Sequence, residues 1–191
     1  MTPLESVSSR PARVLLVYYS RAGHVRRLGQ AIAQELERSG IACDQEEILD
    51  VRPRNGLLGY IRSVWDSVFQ LRTETQAASS RGFRDPSLYE MVLVGSPVWA
   101  GNLATPVGSY LSDTRGKISD FGFFLSYGGS GPGKTFERME YLCGVGPVDR
   151  LAIREGDLGS SGAAQKIRNF CSRVVDRLKL NESVGVRKPA A

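Results

Sequence analysis

Arg13-Val-Leu-Leu-Val-Tyr-Tyr-Ser-Arg-Ala-Gly-His-Val25, followed by Leu28, Ile32 and Leu36 and closed by Gly40, decides the fold of this chain. Residues 13–19 form an apolar run rich in β-branched and aromatic side chains, without the polar alternation of a half-exposed strand. Such a run predicts a strand buried on both faces of a parallel sheet. Ser20 to Gly23 break it. Val25, Leu28, Ile32 and Leu36 then recur at helical spacing, and Gly40 stands where a left-handed residue ends a helix.

The same rhythm continues outward. Ile41 to Leu49 predicts a second, more polar strand, Met91 to Val94 a third that ends at Gly95-Ser-Pro97, Phe121 to Ser126 a fourth and Pro147 to Ile153 a fifth. Between them Val107 to Leu111 and Phe136 to Leu142 read as helices, and Ile167, Phe170, Cys171, Val174, Val175 and Leu178 form a closing amphipathic stripe. Strands alternating with helices imply right-handed crossovers and an α/β domain, a single doubly wound parallel sheet covered on both sides. Residues 53–85 hold no predicted strand. Leu57, Leu58, Ile61, Val64, Trp65, Val68 and Phe69 instead mark a helical insertion between the second and third strands, expected to pack on the sheet, with a lid or dimer face as the alternative. The domain is expected over residues 12–180, with flexible tails at 1–11 and 181–191.

The chain has 191 residues, 41% hydrophobic and 24% charged, which suits one globular domain and fits neither disorder nor a disulfide scaffold. No apolar run approaches the ~20 residues of a membrane span. Met1 to Pro11 lacks the pattern of a secretory signal, so a cytoplasmic location is expected. Cys43, Cys143 and Cys171 share no C-x-x-C spacing, and His24 is the one histidine, so a Cys/His metal site is not supported and the cysteines are read as reduced thiols. The net charge of +5 favours anionic ligands, but the basic residues are dispersed, which argues against nucleic acid as a partner.

Ligands of open parallel sheets bind beyond the carboxyl ends of the strands, so three loops carry the chemistry. Ser20-Arg21-Ala22-Gly23-His24-Val25 opens a helix, where free N–H groups seat a phosphate. Pro97-Val98-Trp99-Ala100-Gly101-Asn102 offers an aromatic face for a flat ring. Ser126-Tyr127-Gly128-Gly129-Ser130-Gly131 supplies glycines whose backbone can approach a ligand closely and read polar ring edges.

At these three loops, in this order after these strands, the chain resembles the flavodoxin-like family of FMN-binding proteins over nearly all of residues 12–178. The resemblance implies a five-stranded sheet in the order 2-1-3-4-5, with FMN at the switch point. Tyr19 to His24 looks like the family's phosphate loop, Gly95 to Gly101 like its first ring-binding loop and Ser126 to Gly131 like its second. Two departures stand out. Ala22 and Val25 occupy positions where the family's phosphate loop carries hydroxyls, so phosphate affinity should fall unless Arg21 or His24 supplies charge. The chain is also basic where the family's electron carriers are acidic, which predicts a less reducing couple and acidic docking partners.

Two competing classes share parts of the pattern. Gly128-Gly-Ser-Gly-Pro-Gly-Lys-Thr135 fits the Walker A spacing of P-loop nucleotide-binding proteins, but the upstream strands that end at Ser20 and Gly95 offer no Asp to hold Mg²⁺. Phosphoacceptor receiver domains need acidic residues where this chain has Ser20-Arg21 and Ser96-Pro97. With FMN granted, the chain is expected to transfer electrons through the flavin, exchanging them with a redox partner protein. The alternative is an enzyme that takes hydride from NAD(P)H and reduces FMN or a quinone-type acceptor. Trp99 and Tyr127 are the candidate ring stackers, and two flanking aromatics would favour the carrier. No residue presents itself as an acid, base or nucleophile, because the flavin performs the redox step. A homodimer is a further possibility.

Overall fold

The computed structural model describes residues 13–50, 75–77, 82–129 and 131–184. Five parallel strands make its centre: β1 (Arg13–Tyr18), β2 (Ala42–Asp50), β4 (Met91–Trp99), β6 (Phe121–Tyr127) and β7 (Arg150–Arg154). They lie in the spatial order β2-β1-β4-β6-β7, which is the 2-1-3-4-5 order implied by the resemblance. Registers such as Val14 beside both Cys43 and Met91 hold β1 between two neighbours. Two short antiparallel strands extend the sheet: β3 (Thr75–Ala77) pairs with the edge strand β2, and β5 (Asn102–Leu103) folds back on β4.

Helices α1 (His24–Arg38), α2 (Thr105–Asp113), α3 (Pro132–Cys143) and α4 (Ser161–Ser183) cover the two faces. The period of two along β1 explains the unbroken apolar run. Val14, Leu16 and Tyr18 enter one core with Leu28, Ile32 and Leu36 of α1 and Phe170, Val174 and Leu178 of α4. Leu15, Val17 and Tyr19 enter the other with Val107 and Leu111 of α2 and Met139 of α3. Each of the fully buried Leu and Phe side chains contributes about 1.5–3 kcal/mol relative to exposure. Gly40 (φ 79°) ends α1 as expected: Ile41 N donates to Leu36 O at 3.0 Å and Gly40 N to Glu37 O at 3.0 Å, the paired bonds of a Schellman cap.

Four expectations are corrected. Residues 53–85 do contain a strand, β3, whose Thr75 pairs with Asp50; the predicted helical stripe of residues 57–69 lies outside the described residues. The third strand runs on through Pro97 to Trp99, because its outer end is paired on one side by β6 and on the other by the β5 hairpin. The fifth strand starts at Arg150 rather than Pro147. The closing helix continues past Leu180 to Ser183, where Asn181 Nδ2 donates to Asp120 Oδ2 at 2.7 Å; a surface tail was expected because that hydrogen bond joins residues distant in sequence.

Candidate functional site

The carboxyl ends of β1, β4, β6 and β7 surround a cavity of about 450 Å³, within the size range of small-molecule and cofactor sites. From the first loop it is lined by Ser20, Arg21, Ala22, His24 and Val25, from the second by Pro97 and Trp99, and from the third by Ser126. Three loops far apart in sequence therefore converge because the parallel sheet aligns their strand ends.

The first loop opens a helix at the cavity. Gly23, the N-cap of α1, sits at φ 83°, a left-handed conformation that suits glycine and leaves that position with no capping side chain of its own. The first turn of α1 holds no acidic residue. Ser20 Oγ accepts from Arg26 N at 3.1 Å, which satisfies one early N–H of the helix. Arg26 is not aimed at an anion: its guanidinium grips Glu47 of β2 at 3.0 and 2.7 Å, and those hydrogen bonds raise its already high pKa.

The second loop is a hairpin. Trp99 opposes Asn102 across the turn Ala100-Gly101, whose residues have φ 50° and 76°. Turns with two positive φ values suit Asn or Gly first, so Ala100 is held in an unfavourable conformation in the second loop. Buried Ser96 braces both ends of the hairpin: Ala104 N donates to Ser96 Oγ at 3.0 Å, and that hydroxyl donates to Pro97 O at 2.8 Å. Trp99 is held edge-on against Tyr19, ring centres 5.5 Å apart at 88°. Val98 packs into the core and Asn102 Oδ1 accepts from Leu103 N at 2.9 Å, so neither lines the cavity.

In the third loop Gly131 caps α3 at φ 112° and abuts Gly101, where a Cβ would come within 2.7 Å of Gly101 Cα. Contact this close joins the second and third loops. Ser130 lies outside the described residues. Tyr127, Gly128 and Gly129, expected at the ring, lie next to the cavity in sequence but are not among its lining residues. The Walker A reading fails here on geometry. Thr135 is wholly buried, its hydroxyl 3.0 Å from Gly131 O and 3.3 Å from Gly101 O, so it is spent on the backbone and is not presented to an ion.

One residue of the cavity was not singled out from the sequence. Glu155 follows β7, with Oε2 3.1 Å from His24 Nδ1 and Oε1 3.3 Å from the Ser126 hydroxyl, which donates to it. His24 thus has an acidic partner, where the sequence alone shows a solvated helix-start residue. The available signal was positional: Glu155 stands two residues after a predicted strand, at the end where ligands bind.

No family model matches the chain. Among curated proteins it is similar to the NAD(P)H dehydrogenase (quinone) of Gluconacetobacter diazotrophicus, 26% identical over 104 residues, 54% of this chain and 47% of that protein. The enzyme of the same name from Acidovorax ebreus is 26% identical over 105 residues, 55% of this chain and 48% of that protein. The chain spans about half the length of the curated relatives it matches. Among solved structures, a flavoprotein from Lactobacillus acidophilus in complex with FMN superposes with a TM-score of 0.62 at 20% identity, over 74% of this chain and 93% of that one. A flavodoxin from the domain Archaea superposes with a TM-score of 0.56 at 16% identity, over 88% and 99%. Strand order and these structural likenesses agree, and the chain has a flavodoxin-like fold.

Proposed function

We propose that this chain binds FMN in the crevice between the three loops and transfers electrons through it. The observation that carries this reading is the meeting of the α1 N-terminus, whose first turn holds no acidic residue, the aromatic Trp99 and the strand-end Ser126 on one cavity of about 450 Å³. The residues fit the cofactor's parts. The α1 N-terminus with Ser20 suits the phosphate, Trp99 suits one face of the flavin ring, and the glycine-rich backbone suits its polar edge. Bound FMN would supply the redox chemistry, accepting hydride or single electrons. The chain itself binds, orients and shields the ring.

Within that reading, NAD(P)H-dependent reduction of a quinone-type acceptor is favoured by one feature. Trp99 is the single aromatic residue lining the cavity among the described residues, with Tyr127 outside the lining. An enzyme that exchanges hydride needs one ring face open to successive substrates, whereas flanking of both faces suits a carrier. The similarity to NAD(P)H dehydrogenases (quinone) over half of their length points the same way.

The test is optical. The purified protein titrated with FMN should quench flavin fluorescence at micromolar concentrations and hold a yellow chromophore through gel filtration. Rapid bleaching on NADH or NADPH under argon, reversed by a quinone, identifies the reductase. Bleaching that requires a partner enzyme identifies the carrier. A protein that stays colourless and leaves FMN fluorescence unquenched refutes both.

A further inference from the structure

Glu155 is the one acidic residue lining the crevice among the described residues. A carboxylate beside an anion seat repels a phosphate, so its presence calls for a physical account. Three observations supply it. Ala22 and Val25 line the seat without hydroxyls, so the loop has few side-chain donors to offer. His24, the first residue of α1, lies with Nδ1 3.1 Å from Glu155 Oε2. The other carboxylate oxygen is anchored by Ser126 at the end of β6. Glu155 therefore spans from a fixed strand end to the buried Nδ1 of the imidazole, which lies at ion-pair distance from it and makes no hydrogen bond.

We propose that Glu155 is a positioning residue: it orients the His24 imidazole by its Nδ1 side, so that His24 stands in for the absent hydroxyls in holding the terminal phosphate of the flavin. A carboxylate that orients a histidine through one nitrogen sets the role of the other. The proposal rests on the reading that a phosphorylated flavin occupies the crevice. The charged groups facing His24 are Glu155 from the turn after β7 and Arg21 from its own loop; Arg26, further along α1, is held by Glu47 of β2. The ends of β4 and β6 bring Pro97, Trp99 and Ser126, which carry no charge.

Two opposed effects of Glu155 separate by pH. When the imidazole is charged, Glu155 works through it and favours phosphate; when the imidazole is neutral, only direct repulsion between carboxylate and phosphate remains. Flavin dissociation constants should be measured by fluorescence quenching for the wild type and Glu155→Gln, with FMN and with riboflavin, at about pH 6 and about pH 8.5, on either side of the histidine range. Comparing variant with wild type at each pH cancels the phosphate's own titration. Glu155→Gln should weaken FMN binding about tenfold at the lower pH, the order of one charge-assisted hydrogen bond. At the higher pH it should leave FMN binding unchanged or tighter. Riboflavin, which lacks the phosphate, should shift little at either. In a His24→Gln background the pH-dependent effect of Glu155→Gln should vanish, and circular dichroism melts check that each variant folds. A ratio that does not change with pH, tighter FMN binding by Glu155→Gln at the lower pH, or an equal shift for riboflavin would overturn the inference alone. A wild type that binds neither flavin would overturn it together with the reading beneath it.

Discussion

Gly131 and Gly101 press backbone against backbone at the rim of the crevice, with a Cβ on Gly131 landing 2.7 Å from Gly101 Cα. The contact joins the cap of α3 to the β4–β5 hairpin, and Thr135 reinforces it from within α3 by lying 3.3 Å from Gly101 O.

Gly131→Ala should therefore be costly in stability and in ligand affinity. The new methyl group meets backbone that cannot rotate away, and alanine resists φ 112°. We expect a loss of about 1–3 kcal/mol in urea unfolding, with flavin affinity falling at least as far. Unchanged unfolding and unchanged quenching would show that the two loops do not depend on each other.

Ala100→Asn should act in the opposite direction. Ala100 is the one non-glycine residue with positive φ among the described residues, at 50°, in the first position of a two-residue hairpin turn. Asparagine tolerates that conformation better, so a gain of about 0.5–1 kcal/mol is expected. A lower melting temperature would mean that the turn relies on the alanine methyl group for packing.

Asp44 ties the start of β1 to the loop before β4. Partial burial pushes its carboxyl up, but the 2.7 Å hydrogen bond from Tyr89 Oη, that from Arg13 and the charge of Arg84 outweigh it and hold the group below its usual range. A carboxylate with a depressed folded-state pKa contributes stability that is present above its unfolded pKa of about 3.9 and lost as pH falls through the folded value. Asp44→Asn should lower stability near neutrality by on the order of 1 kcal/mol, the usual worth of one such hydrogen bond. The deficit should shrink in melts run below about pH 4. A deficit constant with pH would exclude an ionic contribution.

The cysteines should be inert in the native state. Burial pushes Cys43 and Cys171 up to about 12 and raises Cys143 as well. At about pH 8 a thiol with pKa near 12 is roughly one part in ten thousand thiolate, the reactive form. Iodoacetamide should label the unfolded chain on all three and the native chain slowly. Rapid native labelling of Cys43, the one that is only partly buried, would reveal local opening of β2.

Much of the architecture is legible along the chain because parallel strands buried on both faces leave continuous apolar runs, and helices over them leave stripes at spacings of three and four. β1 and α1 can be read almost residue by residue from Val14 to Gly40. The short strands β3 and β5 cannot: Thr75–Ala77 and Asn102–Leu103 carry no periodicity of their own and exist only because a paired neighbour satisfies their backbone.

The site divides the same way. By itself the sequence determined that a helix would start at His24 after a loop rich in small residues, and that glycines and a tryptophan would follow the third and fourth parallel strands, since local backbone demands select those residue types. Only the tertiary structure decided which of those residues face the cavity, that Thr135 is turned inward, that Tyr127 is left outside the lining, and that Glu155 reaches His24. Those outcomes depend on the relative placement of strand ends that meet only when the whole sheet is assembled, and no spacing along a chain encodes a distance between residues on opposite sides of a crevice.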